Sequence, residues 1–223
     1  MNIGIIGAGI MGRALAALAV KNGHAVMLSN SRHPRTLNST AIAIGCKVGT
    51  ASEAAAFGDV VMVAIPFAAY QEIPAAPLVG KVVLDANNYY PHRDGQIEAL
   101  DAHTTTTSEM VATHLTGARV VKAFNAILQD DLQKDGQPAG SPGRRALPIA
   151  GDDVPAKQLA AQLVDEFGFD VVDAGPLSEG WRFERARPAY CIPLVASALK
   201  DALAAAQLDI ELPYGSWRRA KAA

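Results

Sequence analysis

The chain opens with a short apolar strand that runs directly into a glycine-rich turn. Residues 3–12 read IGIIGAGIMG, which spaces Gly7, Gly9 and Gly12 as G-x-G-x-x-G ahead of an alanine-rich helical segment. In this pattern the first glycine makes a tight turn, the second lets backbone approach a ligand's phosphates, and the third lets helix and strand pack closely. The helix amino terminus then offers free N–H groups to a phosphate. The segment predicts a dinucleotide pyrophosphate site, with a ligand-free glycine turn as the weaker alternative.

The bulk composition argues against several other classes of protein. Of the 223 residues, 50% are hydrophobic and 19% are charged, as in an ordinary soluble globular protein. The net charge of −2 predicts no nucleic-acid partner. We also expect no membrane span, because no apolar run reaches the ~18 residues that a bilayer requires. A signal peptide is not expected either, because the N-terminus has no basic n-region and its apolar stretch is the first strand. Cys46 and Cys191 are isolated, which predicts buried thiols, no metal site and a reducing, cytoplasmic compartment.

Strand and helix signals alternate along the chain. This order predicts an α/β fold of the Rossmann type, with a doubly wound, mainly parallel sheet. The predicted strands are Ile3–Gly7, Ala25–Ser29, Val60–Ile65, Val82–Asp85, Val120–Phe124, Leu147–Ala150 and Asp170–Asp173. The clearest predicted helices are Met11–Lys21, Ser108–Leu115, Pro155–Phe167 and Pro193–Gln207. We expect a dinucleotide-binding domain over residues 1–176, and a short helical C-terminal extension over 177–223 that packs on this domain or on a partner subunit.

Three local signals refine this organisation. Ser108 is predicted to cap the helix that follows it, and Pro155 suits the first turn of the next one. The segment Gln129–Arg145 is polar and rich in glycine and proline, which predicts a surface loop. We expect mobile surface there, with a lid as the alternative.

The end of the second predicted strand indicates which dinucleotide is bound. An NAD site of this type places a carboxylate about 20 residues beyond the glycine turn, but none lies between Gly12 and Arg35. Instead the strand ends in Ser31 and Arg32, a hydroxyl beside a guanidinium, and these groups suit the 2′-phosphate of NADP(H). Arg35 is a further candidate for the same phosphate. The alternative is that Ser31 caps a helix and Arg32 is a solvated charge.

Further ligand contacts are expected where the other parallel strands end. The third predicted strand runs into Ile65 and Pro66, and later strands run into Asn87 and Asn125. We predict that both asparagines lie near the nicotinamide or its ribose. Two other polar residues at strand ends are interpreted as structural: Asn88 and Lys122.

No catalytic side chain stands out. No tyrosine is followed by lysine four residues later, and no paired carboxylates or Cys/His couple is visible. Hydride transfer between a nicotinamide and another conjugated ring requires stacking of the two rings, not an obligatory proton donor. A reductase of that kind fits the sequence, and so does a protein that only binds the dinucleotide.

Six segments along the chain form a recognisable combination: Ile5–Gly12, Ser31-Arg32, Ala64–Phe67, Val121–Asn125, Gly151–Asp153 and Asp173–Leu177. Together they resemble the 8-hydroxy-5-deazaflavin:NADP oxidoreductase family, which includes bacterial NADP-dependent reductases and is similar to the reductase domain of STEAP ferric reductases. Two regions, 129–145 and 181–185, have no obvious counterpart, and the second strand ends one residue later than the family's short Gly-Ser-Arg version.

The resemblance implies site residues and a reaction. It implies that Ser31 and Arg32 bind the 2′-phosphate and that Pro66 lies beside the nicotinamide. It also implies a homodimer and a flavin or deazaflavin as the small-molecule hydride acceptor. The residues that it assigns to the pyrophosphate are Ala8, Gly9, Ile10, Met11 and Gly12.

Two other functions stay open from the sequence. Imine and pyrroline-carboxylate reductases begin with a similar turn, but they need a longer helical region than the segment after Gly175. A non-catalytic NADP(H) sensor would carry the same binding residues.

Overall fold

The computed structural model describes residues 1–213 and 215–216, and within them the chain forms one eight-stranded sheet. Part of the predicted C-terminal extension, residues 214 and 217–223, lies outside the described residues. The strands are β1 (Asn2–Ile6), β2 (Ala25–Ser29), β3 (Lys47–Gly49), β4 (Val60–Val63), β5 (Val82–Asp85), β6 (Arg119–Lys122), β7 (Ala146–Gly151) and β8 (Asp170–Asp173).

The order of the strands produces a cleft at one place in the sheet. The order is β3-β2-β1-β4-β5-β6-β7-β8, and every neighbouring pair is parallel except the antiparallel pair β6–β7. The chain therefore moves outward from β1 to β3 and then returns to β4 on the other side of β1. Connections leave β1 and β4 in opposite directions, and ligands of such sheets bind at the carboxyl edge of this switch point. The mainly parallel, doubly wound α/β fold is thus confirmed.

Helices cover both faces of the sheet. The α-helices are α1 (Ile10–Lys21), α2 (Asn38–Ile44), α3 (Ala51–Phe57), α4 (Pro91–Asp94), α5 (Glu98–Asp101), α6 (Thr107–His114), α7 (Gln129–Lys134), α8 (Val154–Glu166) and α9 (Ala196–Ala204). The 3₁₀-helices are Pro34–Leu37, Phe67–Glu72, Ala76–Leu78 and Leu177–Phe183. The short strand β3 is missing from the sequence prediction, since three residues carry too little periodicity to be recognised.

Apolar cores lie on both faces of the sheet. On one face, α1 and α8 pack against the strands around Leu15, Leu28 and Leu163. On the other face, Phe67, Val111 and Leu115 pack against the strand side chains that point to that face. The strands β4 and β5 are buried along their whole length, which explains their continuous apolar sequences.

The amino terminus of α6 differs from the prediction. The cap is Thr106 and not Ser108, because the Thr106 hydroxyl accepts a hydrogen bond from the Glu109 N–H at 3.2 Å. The Glu109 carboxylate in turn accepts one from the Thr106 N–H at 2.8 Å, which completes a capping box. Ser108 is fully buried inside the helix and donates to the Asp85 carboxylate.

The segment 129–145 is anchored, which corrects the prediction of a mobile surface loop. Its first residues form α7, and its last two are buried arginines. Arg144 Nη1 donates to Asp165 Oδ1 at 2.6 Å and to Asp170 Oδ1 at 2.9 Å. Arg145 Nη1 similarly lies 2.9 Å from Asp131 Oδ2. The glycines and prolines form turns between these anchors, so composition alone suggested more mobility than the ion pairs allow.

The helix α8 begins where the sequence predicts, with Pro155 in its first turn. The Asp153 carboxylate accepts a hydrogen bond from the Ala156 N–H at 2.7 Å and caps α8, with Pro155 in the first turn. Within the predicted extension, α9 is shorter than Pro193–Gln207, and its buried Leu199 and Leu203 pack beside β7 and β8.

Replacing Arg144 with alanine should lower the free energy of unfolding by about 2–3 kcal/mol. The change removes a buried guanidinium that pairs two half-exposed carboxylates and also donates to the Gln137 carbonyl, so both the packing of its side chain and several charge-assisted hydrogen bonds are lost. Urea unfolding at neutral pH measures the loss. The control is Arg119→Ala, which removes a half-exposed guanidinium 3.8 Å from Asp153 and should cost less than about 1 kcal/mol. Equal losses would contradict the anchoring role.

Candidate dinucleotide-binding site

A cleft of about 560 Å³ opens at the carboxyl ends of β1, β2 and β4. This is the switch point of the sheet. The predicted site residues that line it come from the glycine turn, the end of β2 and the end of β4: Gly7, Ala8, Gly9, Ser31, Arg32, Ile65 and Pro66. The tertiary structure thus brings together three segments that are far apart in sequence.

Two of the three signature glycines are required by close backbone packing. Gly7 has φ +111°, and a Cβ built there would meet the backbone of Ala64. A Cβ built on Gly12 would meet the Gly7 carbonyl oxygen, so a side chain would force α1 away from the turn. Gly9 differs, because no atom lies within 4 Å of its built Cβ. Gly7 and Gly12 therefore serve the fold, whereas Gly9 leaves open space on the cleft side.

The amino terminus of α1 is suited to an anion. Gly9 is its cap, and the first helical hydrogen bond runs from the Arg13 N–H to the Gly9 carbonyl at 3.0 Å. The N–H groups of Ile10, Met11 and Gly12 thus have no partner inside the helix. The first turn contains no acidic residue. Free N–H groups and the positive end of the helix dipole are the groups that a pyrophosphate requires.

Ser31 and Arg32 are held at the cleft by a turn after β2. The Asn30 side-chain oxygen accepts a hydrogen bond from the Arg32 N–H at 3.1 Å, and its amide group donates to the Thr36 hydroxyl at 3.0 Å. Both Ser31 and Arg32 are exposed, and no acidic residue of the described chain pairs with the Arg32 guanidinium. The guanidinium is available to an external anion.

Arg35 does not line the cleft. It lies in the 3₁₀-helix Pro34–Leu37, where its N–H donates to His33 Nδ1 at 3.2 Å. Its assignment to the phosphate stays a prediction.

Asn87 positions the cleft wall without lining it. The residue is 2% exposed, and its Oδ1 accepts a hydrogen bond from the Ile65 N–H at 2.8 Å. This bond fixes the backbone that leads into Pro66. The Asn87 amide nitrogen has no partner among the residues that the structure describes. Asn87 thus stabilises the backbone of Ile65 at the predicted nicotinamide end of the cleft.

Asn125 is paired within the fold. Its amide nitrogen donates to Asn88 Oδ1 at 3.1 Å and to the Phe183 carbonyl at 3.0 Å. The Asn88 amide nitrogen returns a bond to the Asn125 carbonyl at 2.9 Å. The reciprocal pair joins the ends of β5 and β6, and Asn125 does not line the cleft. Contact between this residue and a nicotinamide stays a prediction.

Lys122 is the centre of a buried charge cluster at the end of β6. It is fully buried, and its Nζ lies 3.1 Å from Glu184 Oε1 and 2.7 Å from the Thr107 hydroxyl. Burial raises the pKa of Asp85 despite nearby Lys122 and Ser108. Burial would also raise the pKa of Glu184, but the charge of Lys122 and hydrogen bonds from Thr107 outweigh it and lower that pKa. The lysine is used inside the fold and is not free for a ligand.

The segment 181–185 borders a second cavity of about 420 Å³. Trp181, Glu184 and Arg185 line this cavity together with Tyr89 and Thr106. None of its lining residues also lines the dinucleotide cleft.

Sequence reasoning missed several residues of the cleft. Asn30 could have been recognised from the sequence. An asparagine side chain commonly accepts a hydrogen bond from the backbone N–H two residues further along the chain and so forms a turn. The others carry no local signal, because packing alone brings them to the cleft: Ala51, Ala69, Glu72 and Ile73.

Residues 2–89 match the family model described as "NADP oxidoreductase coenzyme F420-dependent". This range contains every predicted site residue that lines the cleft. Over these residues the chain is similar to this family. The resemblance inferred from the sequence is thereby confirmed, and the family is one of NADP-dependent oxidoreductases.

Individual relatives agree with this assignment. The chain is 28% identical over 197 residues to the metalloreductase STEAP3 of Rattus norvegicus, covering 86% of this chain and 38% of that protein. The chain spans less than half the length of the curated relatives that it matches.

Two solved structures are similar over most of their length. The hypothetical protein SMa0349 from Sinorhizobium meliloti has a TM-score of 0.75 at 30% identity, covering 87% of this chain and 95% of its own. A putative F420-dependent NADP-reductase from Arthrobacter sp. FB24 has a TM-score of 0.69 at 25% identity, covering 79% of this chain and 85% of its own.

In the described part of the present chain, the helices are all too short or too polar to cross a bilayer.

The two kinds of signature glycine should respond differently to alanine. Gly12→Ala should lower the free energy of unfolding by about 2 kcal/mol, because its Cβ has no room beside the Gly7 carbonyl. Gly9→Ala should cost less than about 1 kcal/mol, because its Cβ meets only open space and the helix loses only a good cap. Chemical unfolding of the two variants measures the difference, and a larger loss for Gly9→Ala would contradict this division of roles.

Proposed function

We propose that this chain binds NADP(H) in the cleft and transfers hydride between its nicotinamide and a flavin-like acceptor, a deazaflavin or a flavin. The observation that carries the proposal is the unpaired Arg32 guanidinium beside Ser31, in the same cleft as the open glycine turn. The family description and the printed name of the Arthrobacter structure support it. When bound, NADPH would supply the hydride, and the residues of this chain would bind and orient it.

The charges at the end of β2 favour the phosphorylated dinucleotide. A carboxylate at this position would repel a ribose 2′-phosphate, whereas a guanidinium donates paired hydrogen bonds to it. The turn formed by Asn30 fixes the backbone of Arg32, so less backbone freedom is lost on binding.

The cleft offers few groups that could transfer a proton. Its only titratable side chains among the described lining residues are Arg32 and Glu72. Arginine stays protonated at all ordinary pH values. A ring-to-ring hydride transfer requires close stacking more than a positioned acid, so an acceptor with its own conjugated ring suits this cleft.

Two further features belong to the proposal. We propose a homodimer, as the family resemblance implies, and a cytoplasmic location, which suits the two free cysteines. An NADP(H) sensor without catalysis is distinguished by the acceptor assay described below.

Arg32→Ala should weaken NADPH binding by roughly tenfold to a hundredfold and leave NADH binding unchanged. Each charge-assisted hydrogen bond to the 2′-phosphate contributes about 1.5–3 kcal/mol, and NADH lacks that phosphate. Titration calorimetry with both dinucleotides measures the two affinities. Lys21→Ala is the control, since Lys21 is an exposed cation at the far end of α1. Tighter binding of NADH than of NADPH by the unmodified chain would contradict the proposal.

The acceptor is tested by mixing the protein and NADPH with a deazaflavin, FMN or FAD and following the loss of nicotinamide absorbance. We expect turnover with at least one of these acceptors and a raised KM for NADPH in Arg32→Ala. Tight NADPH binding without turnover on any acceptor would favour the sensor.

A further inference from the structure

Glu72 is a carboxylate that lines the dinucleotide cleft without a partner in the fold. It is the last residue of the 3₁₀-helix Phe67–Glu72, which follows β4. Its side chain is exposed, and no described residue forms a hydrogen bond or ion pair with it. A negative charge in a cleft for a phosphorylated ligand opposes binding unless it makes a favourable contact of its own. A hydrogen-bond donor on the ligand would supply such a contact.

Three further residues that line the cleft are small or apolar. Ala51 begins α3, Ala69 lies one turn before Glu72, and Ile73 follows it, and all three line the cleft. Such side chains provide flat apolar walls and no hydrogen bonds. This part of the cleft suits an aromatic ring whose edge is polar, with Glu72 as the charged group available to that edge.

The chemistry of the ligand indicates which ring this is. The 2′-phosphate assigned to Ser31 and Arg32 sits on the same ribose as the adenine, so the base must lie next to that phosphate. Ser31, Arg32 and Glu72 line one cleft. Adenine carries an exocyclic amino group that donates hydrogen bonds, and an ionised carboxylate only accepts them.

We propose that Glu72 is a specificity-determining residue that selects adenine by accepting a hydrogen bond from its exocyclic amino group. This inference rests on the proposed NADP(H) site. In this proposal Glu72 discriminates between bases, and it takes no part in proton transfer or phosphate binding.

The test compares NADPH with reduced nicotinamide hypoxanthine dinucleotide phosphate, in which a carbonyl oxygen replaces the amino group. The unmodified chain should bind the hypoxanthine form about tenfold more weakly, because two acceptors would then face each other. Glu72→Gln should bind both dinucleotides within about threefold of each other, since an amide can accept from adenine or donate to hypoxanthine. Glu72→Ala should bind both equally. Calorimetry or fluorescence titration gives all six affinities.

Gln71→Ala is the matched control. Gln71 is exposed in the same 3₁₀-helix but does not line the cleft, so it should keep the full preference for adenine. The inference is overturned if Glu72→Ala keeps that preference, or if the unmodified chain has none while still binding NADPH. Failure of the unmodified chain to bind NADPH at all would overturn the proposed function itself, which separates the two outcomes.

Discussion

The close approach of backbone to backbone around β1 is the constraint on which the rest of the structure depends. A side chain on Gly12 would collide with the Gly7 carbonyl, and one on Gly4 would collide with the Ala54 carbonyl of α3 on the opposite face. The central strand is thus packed against helices on both faces at positions that have no Cβ. This packing places the start of α1 over the end of β1, and it leaves Gly9 directed at open space. The geometry that we propose for anion binding is a consequence of how tightly the layers pack.

The other half of the sheet is organised by buried charge. Lys122 connects the end of β6 with Thr107 and Ser108 of α6, and through Glu184 with the segment that follows the 3₁₀-helix Leu177–Phe183. A cation so deeply buried is stable only because hydrogen bonds and a carboxylate surround it. Sequence reasoning correctly interpreted Lys122 as structural, but it could not identify Glu184, which lies 62 positions further along the chain.

Local signals were reliable where the chemistry is local. Pro155 and the glycine turn each act within a few residues, and the structure shows them where the sequence placed them. The prediction failed where a distant partner competes. Ser108 is a good cap by type, but the buried Asp85 takes its hydroxyl, and Thr106 caps α6 instead. The loop 129–145 is polar and glycine-rich, yet Arg144 pairs with Asp165 of α8, and Arg145 pairs with Asp131 within the segment itself.

The sequence by itself determined the α/β fold, the glycine turn and the Ser31-Arg32 pair on which the proposed 2′-phosphate site rests, because each is written in adjacent residues or in regular alternation. Only the tertiary structure decided that Asn87 supports the Ile65 backbone, that Arg35 and Asn125 lie away from the cleft, and that Glu72 lies within it. These placements depend on which strand ends become neighbours at the switch point. That choice is made by the packing of the whole sheet, and no single segment encodes it.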